Sequence, residues 1–252
     1  MEFSNMSGKR DLQAHLAEGW SRLGVTFNAA PARRTPDLEM LLVETVHAAR
    51  KNSRLLILAA TWVFCYGDYV AKRRLALMVS ELVAEEDRPV MGLLLDWVRS
   101  QNSRHQHRFD EVILQCKPAG EPGPLLDINR GNPILRALSE ERASKESRRW
   151  GCWMEAFEPK LEAIRPPEWV AKHNPSLAIR ALCGGDLVAT IAADMRAGTP
   201  SLQSESALAR RYGASRSAVR DALRKLKLAG VVRQFSHGKS RPVALADGIA
   251  GF

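Results

Sequence analysis

The sequence predicts a mainly α fold in two parts. Residues 1–174 read as a helical bundle or short helical solenoid, and residues 175–252 as a smaller helical unit closed by a β-hairpin. Three observations carry this prediction. Apolar residues recur at helical spacing through the first hundred positions, with short breaks between the runs. Two short helices joined at a glycine stand between Ser204 and Val232. The clearest strand signal lies immediately after them. A chain of 252 residues is long enough for two modest domains.

In chain order, an amphipathic helix is expected from about Lys9 to Trp20, followed by a loose stretch rich in Ala and Pro. Thr35 and Pro36 then suit the cap and first position of a helix that buries Leu38, Leu41, Leu42, Val46 and Ala49. Arg54 to Tyr66 is apolar around most of a helical circumference, so it belongs at the centre of a helical core or against a second copy. Further helices are expected over Tyr69–Glu85 and from Pro89 to about Ser100. Residues 101–132 change character: the stretch from Arg108 to Leu114 suits a strand or a short helix, and Lys117 to Pro124 is a loop. Helices are expected again from Ile134 to about Ser144 and from Gly151 to Ile164, ended by Pro166 and Pro167. The boundary between the parts is placed near Pro175; a connecting helix over Leu177–Leu182 and one carrying Leu187, Ile191 and Met195 follow.

The run SESALARRYGASRSAVRDALRKLKLAGVV organises the second part. Gly213 suits the left-handed residue that ends its first helix, and Ser215 can cap its second. In that second helix Val219, Ala222, Leu223 and Leu226 hold the spacing of a buried face. Arg216, Arg220, Arg224 and Lys227 share a neighbouring face. Val231 to Phe235 and Pro242 to Leu245 are strand-like around the turn Ser236–Ser240, which makes the whole a winged helix-turn-helix. Between Asp186 and Leu245 eleven Lys or Arg stand against four Asp or Glu, so this segment holds +7 of the chain's +9. Basicity concentrated there suits contact with phosphates.

This run resembles the winged-helix DNA-binding domain of the GntR family, whose pattern SE-x-x-LA-x-x-x-GVSR-x-x-VR-x-AL it follows closely. The resemblance covers Asp186 to Leu245. Ser206 stands where the family usually carries an arginine, and Ala218 where a hydroxyl residue is common. The unit is C-terminal here rather than N-terminal, so the resemblance implies nothing about residues 1–174. It implies a sequence-specific duplex-DNA-binding transcription regulator, in which Ser215, Arg216, Ser217, Arg220 and Arg224 face the major groove. His237, Gly238 and Lys239 would form the wing tip on the backbone or minor groove. Glu205 is expected to cap or orient rather than touch anionic DNA. The alternative is a protein-interaction subunit or antitoxin that uses the unit for protein contacts; the cationic face disfavours it.

Little else points to chemistry. No nucleophile motif or phosphate loop is legible, so no catalytic activity and no cofactor are expected. His105, His107 and Asp110 fall on a polar connector and read as solvated rather than metal-ligating. The run Arg142 to Arg149 reads as a solvated helix face within reach of flanking phosphates. Cys65, Cys116, Cys152 and Cys183 lie more than thirty residues apart, which fits neither zinc nor a redox pair. Trp62, Trp97, Trp150, Trp153 and Trp169 fall on apolar patterns and are expected in the core. A cytoplasmic protein is expected, because neither a secretory signal nor a run of about 20 apolar residues is present. Expected partners are duplex DNA, a second copy bound through the helical part, and a small-molecule effector of unknown kind, with no membrane.

Overall fold

A computed structural model describes residues 3–102, 105–182, 187–196, 204–228, 231–234 and 243–245. The architecture is mainly α. The first helices are α1 (Phe3–Arg22), α2 (Leu38–Ala49), α3 (Ser53–Tyr66), α4 (Lys72–Leu82) and α5 (Arg88–Gln101). Helix α2 begins two residues later than Thr35 and Pro36 suggest, because the Asp37 carboxylate accepts from the Met40 amide at 3.2 Å. Asn52 caps α3 in the same way through Leu55 N.

Helix α3 runs through the middle of the first apolar cluster, burying Leu55, Leu56, Leu58, Ala59, Ala60, Trp62 and Val63. Of the two places expected for this segment, it takes the centre of a helical core. Trp62 meets Trp20 edge-on at 5.7 Å. Each indole N–H is satisfied, Trp20 donating to Thr45 Oγ1 and Trp62 to Leu23 O, both at 2.8 Å. In α5 every residue from Pro89 to Val98 is buried. Gly92 is there because a Cβ would come within 2.3 Å of the Trp150 ring.

The middle of the chain departs most from expectation. It holds α6 (Asp110–Ile113), α7 (Asp127–Arg130), α8 (Pro133–Glu141), α9 (Lys145–Trp150) and α10 (Pro167–His173). Strand β1 (Gly123–Pro124) pairs in parallel with β2 (Cys152–Trp153). The helix expected over Gly151–Ile164 is absent: Gly151 takes a left-handed φ of 65° and ends α9, and the chain runs extended beyond it. Only a 3-10 turn, Leu161–Ala163, remains of it. The 105–110 connector is solvated only in part: the His107 side chain is 80% exposed and lies 3.0 Å from the Asp110 carboxylate. His105 is buried beside Phe109, and Arg108 donates to the carbonyls of Gly67 (2.8 Å) and Asp68 (2.9 Å). Nor is Arg142–Arg149 a plain solvated face: Arg148 donates to the Glu141 and Ala143 carbonyls, and Arg149 bonds the buried Asp96 at 2.8 Å.

The C-terminal elements are α11 (Pro175–Leu182), α12 (Leu187–Arg196), α13 (Glu205–Tyr212) and α14 (Arg216–Leu228), then β3 (Val232–Gln234) and β4 (Val243–Leu245). The two strands pair antiparallel, Val232 opposite Leu245. A second apolar cluster forms here from Ile191, Leu208, Tyr212, Val219, Leu223, Leu226 and their neighbours. Among the described residues the two clusters divide between Leu177 and Ile191. No described helix is long and apolar enough to cross a membrane.

Candidate nucleic-acid interface

The candidate surface is one face of α14, and local chemistry sets it. Ser204 Oγ caps α13 by accepting from Ala207 N at 3.4 Å. Gly213 ends that helix at φ 59°, where a side chain would be strained and a Cβ would stand 3.3 Å from the Arg73 carbonyl of α4. The chain then turns into α14 at Ser215, whose Oγ accepts from Ala218 N at 3.1 Å and lies 2.9 Å from Ser217 Oγ.

Val219, Ala222, Leu223 and Leu226 seal one side of α14. Arg216, Ser217, Arg220, Arg224 and Lys227 are exposed and, at about 100° per residue, fall within a single arc of about 100°. The Arg220 and Arg224 side chains are 67% and 71% exposed. Ser204 supplies the cap of α13, which leaves Glu205 to orient: its Oε2 accepts from Arg220 Nε (3.3 Å) and Nη2 (3.2 Å). Arg224 meets Asp221 at 3.4 Å. Both pairs are on the surface, where such contacts are worth about 0–1 kcal/mol and exchange readily. His237, Gly238 and Lys239 lie outside the described residues. Structure thus brings Ser215, Arg216, Ser217, Arg220 and Arg224 together at one end and along one face of a single helix.

Behind this surface lies a buried ionic joint that sequence reasoning missed. Arg180 of α11 donates to Glu39 Oε1 of α2 (2.7 Å), to Asp194 Oδ1 of α12 (3.2 Å) and to the Tyr69 carbonyl (3.0 Å). Arg74 of α4 donates to Glu39 Oε2 and to Asp37 Oδ1, each at 2.7 Å. From α13, Arg211 donates to Asp194 Oδ2 through two nitrogens at 3.1 Å, and the Tyr212 hydroxyl donates to the same oxygen at 3.1 Å. The Arg211 guanidinium also lies 3.7 Å from Asp37. Three carboxylates face three guanidinium groups, so the joint is neutral as a whole.

Burial and then the Asp194 carboxylate push the Tyr212 phenol well above its ordinary value, which keeps it a hydrogen donor. Burial acts to raise the Asp37 carboxyl, but its bonds and charge contact with Arg74, the Met40 amide and Arg211 together hold it below the ordinary value. A signal for this joint was present. Asp194 interrupts the apolar face of α12 between Ile191 and Met195, and Glu39 stands among the leucines of α2.

Among the described residues no three His, Cys, Asp or Glu side chains gather as metal ligands. Burial raises the thiols of Cys65, Cys116 and Cys152, to about 12 for Cys116 and about 11 for Cys152. Compared with protein-family models, curated proteins and solved structures, the chain has no significant match in any of the three.

Proposed function

We propose that the chain is a transcription regulator that binds duplex DNA sequence-specifically, acting by binding rather than catalysis, in the cytoplasm and as a homodimer. In this reading α13 and α14 are the helix-turn-helix, with α14 the reading helix in the major groove. The β3–β4 hairpin is the wing, carrying His237, Gly238 and Lys239 to the backbone or minor groove. One observation carries the reading: an amphipathic helix whose apolar face is sealed presents Arg216, Ser217, Arg220 and Arg224 together to solvent. A helix about 20 Å long fits a major groove about 12 Å wide, and guanidinium groups can donate two bonds to a guanine edge. The concentration of positive charge in the same segment favours approach to phosphates. A single such unit covers one half-site, which is the reason for the dimer.

The test uses the full chain. Sites are selected from a random duplex pool, and affinity for the selected and a scrambled duplex is followed by fluorescence anisotropy across salt. Arg216→Ala and Arg220→Ala should each cost about 1–3 kcal/mol on the selected site and relax base preference. Lys239→Ala should weaken both duplexes alike and flatten the salt slope by about one unit. Binding that ignores salt, or an Arg216/Arg220 double variant that binds like the parent, overturns the reading. Sedimentation showing a monomer with and without DNA removes its dimer component.

A further inference from the structure

We propose that the cavity beneath α8 is a binding site for a neutral, mainly apolar small molecule. Helix α8 buries none of its residues, although Leu135 and Leu138 lie only about 60° apart on one of its faces. That face looks onto a cavity of about 550 Å³, whose other walls include Ile57 of α3, Trp153, Met154 and Phe157. A helix with such a face ordinarily settles onto the apolar wall beside it. Here polar contacts run along its edges instead. Arg136 donates to the Pro122 carbonyl at 3.4 Å, and Asn129 Nδ2 to Ser139 Oγ at 3.2 Å. At the far end Arg142 pairs with Glu155 at 2.9 Å, and Arg148 holds the Glu140 and Glu141 carbonyls.

The walls are braced as well. Phe157 stacks on Trp97 with ring centres 4.3 Å apart, and the Arg136 guanidinium lies 5.7 Å from the Trp153 ring centre. The volume falls within the range of about 300–1,000 Å³ typical of small-molecule sites, which are likewise apolar with a few polar groups. The charged lining residues are Arg142, Lys160, Glu155 and Glu158, two of each sign. The cavity therefore has no net charge with which to select an ion, and a neutral guest loses least on entering. A macromolecule fits worse. The cavity is roofed by a single helix about 13 Å long, whereas a stable protein partner needs about 800 Å² on each side.

The site stands whether or not α14 reads DNA, and its test contains no DNA. The full chain is titrated with N-phenyl-1-naphthylamine, a neutral apolar fluorophore. Saturable enhancement with one probe per chain is expected. Leu135→Trp and Leu138→Trp, which fill the cavity from α8, should each weaken the probe at least tenfold while far-UV circular dichroism stays unchanged. Leu114→Asp removes an apolar side chain that is 80% exposed and not in the cavity lining, and should leave the titration as it was. Enhancement that never saturates overturns the proposal. So does full binding by both filled variants, or a loss in Leu114→Asp equal to theirs.

Discussion

The apolar cluster around α3 and the one around α14 solve the same problem at different scales. The first buries Trp20, Trp62 and Phe109 completely and collects side chains from as far apart as Leu16 and Leu177. The second, among the described residues, has Tyr212 as its largest buried side chain and several alanines. With fewer and smaller side chains it supplies less transfer free energy than the first, in proportion to the apolar surface buried. Beside the packing of α13 on α4 and of α11 on α12, buried charge joins it to the first. Arg180, Glu39 and Asp194 are nearly inaccessible, and their bonds cross between α2, α11 and α12. An apolar joint would have tolerated sliding. Directed bonds between buried ions admit one register, because a misplaced partner leaves an unpaired charge out of water.

The largest test of that comparison removes the shared anion. Glu39→Gln leaves Arg74 and Arg180 buried with a neutral partner, and should lower stability by about 3–5 kcal/mol in chemical denaturation. The loss should register in the tryptophan signal of the first cluster as well as in protease resistance of the second. A loss confined to one of them would mean that the joint does not couple the two. Next in size, Gly213→Ala forces a side chain into a left-handed turn against the Arg73 carbonyl. We expect about 1–2 kcal/mol, read by proteolysis at α13–α14 with the tryptophan signal unchanged.

Acid should sharpen the comparison further. The folded pKa of Asp37 lies below its unfolded value, so its contribution is complete above the unfolded value. It fades as pH falls through the folded one. The stability difference between the parent chain and Asp37→Asn should therefore be constant from pH 5 to 8 and close below about 4, followed by urea unfolding at each pH. Asn caps a helix as well as Asp does, so a difference that persists at pH 2 would mean that Asp37 acts through neither its charge nor its cap. The smallest effect is expected outside the joint. Arg224→Ala should change stability by less than about 0.5 kcal/mol, because its pair with Asp221 is exposed. A larger loss would show that this cation supports the fold rather than facing a partner.

Much of the fold was legible in residue order because it depends on neighbours in the chain. Helical periodicity placed α2 through α5 within a few residues, since a repeat of 3.6 is written directly into Leu38, Leu41, Leu42 and their successors. Ser215, Gly213 and the two faces of α14 were legible for the same reason. A cap, a left-handed turn and an amphipathic face each involve residues no more than a few positions apart. The 151–164 segment was misread because its apolar spacing resembles a helix. Tertiary contacts decide otherwise, with Ser144 N bonding the Met154 carbonyl and Leu125 N that of Trp153.

The ionic joint and the cavity depend wholly on such long-range placement. Glu39 and Arg180 are 141 positions apart, and no local rule ties one to the other. The sequence alone showed only that charges interrupt apolar faces at Glu39 and Asp194. Which cations meet them follows from how α2, α4, α11 and α12 pack, because a buried ion takes the partner that geometry brings within about 3 Å. The cavity is likewise a property of the ties around α8, from Pro122 to Glu155, and of the wall that α3 happens to present.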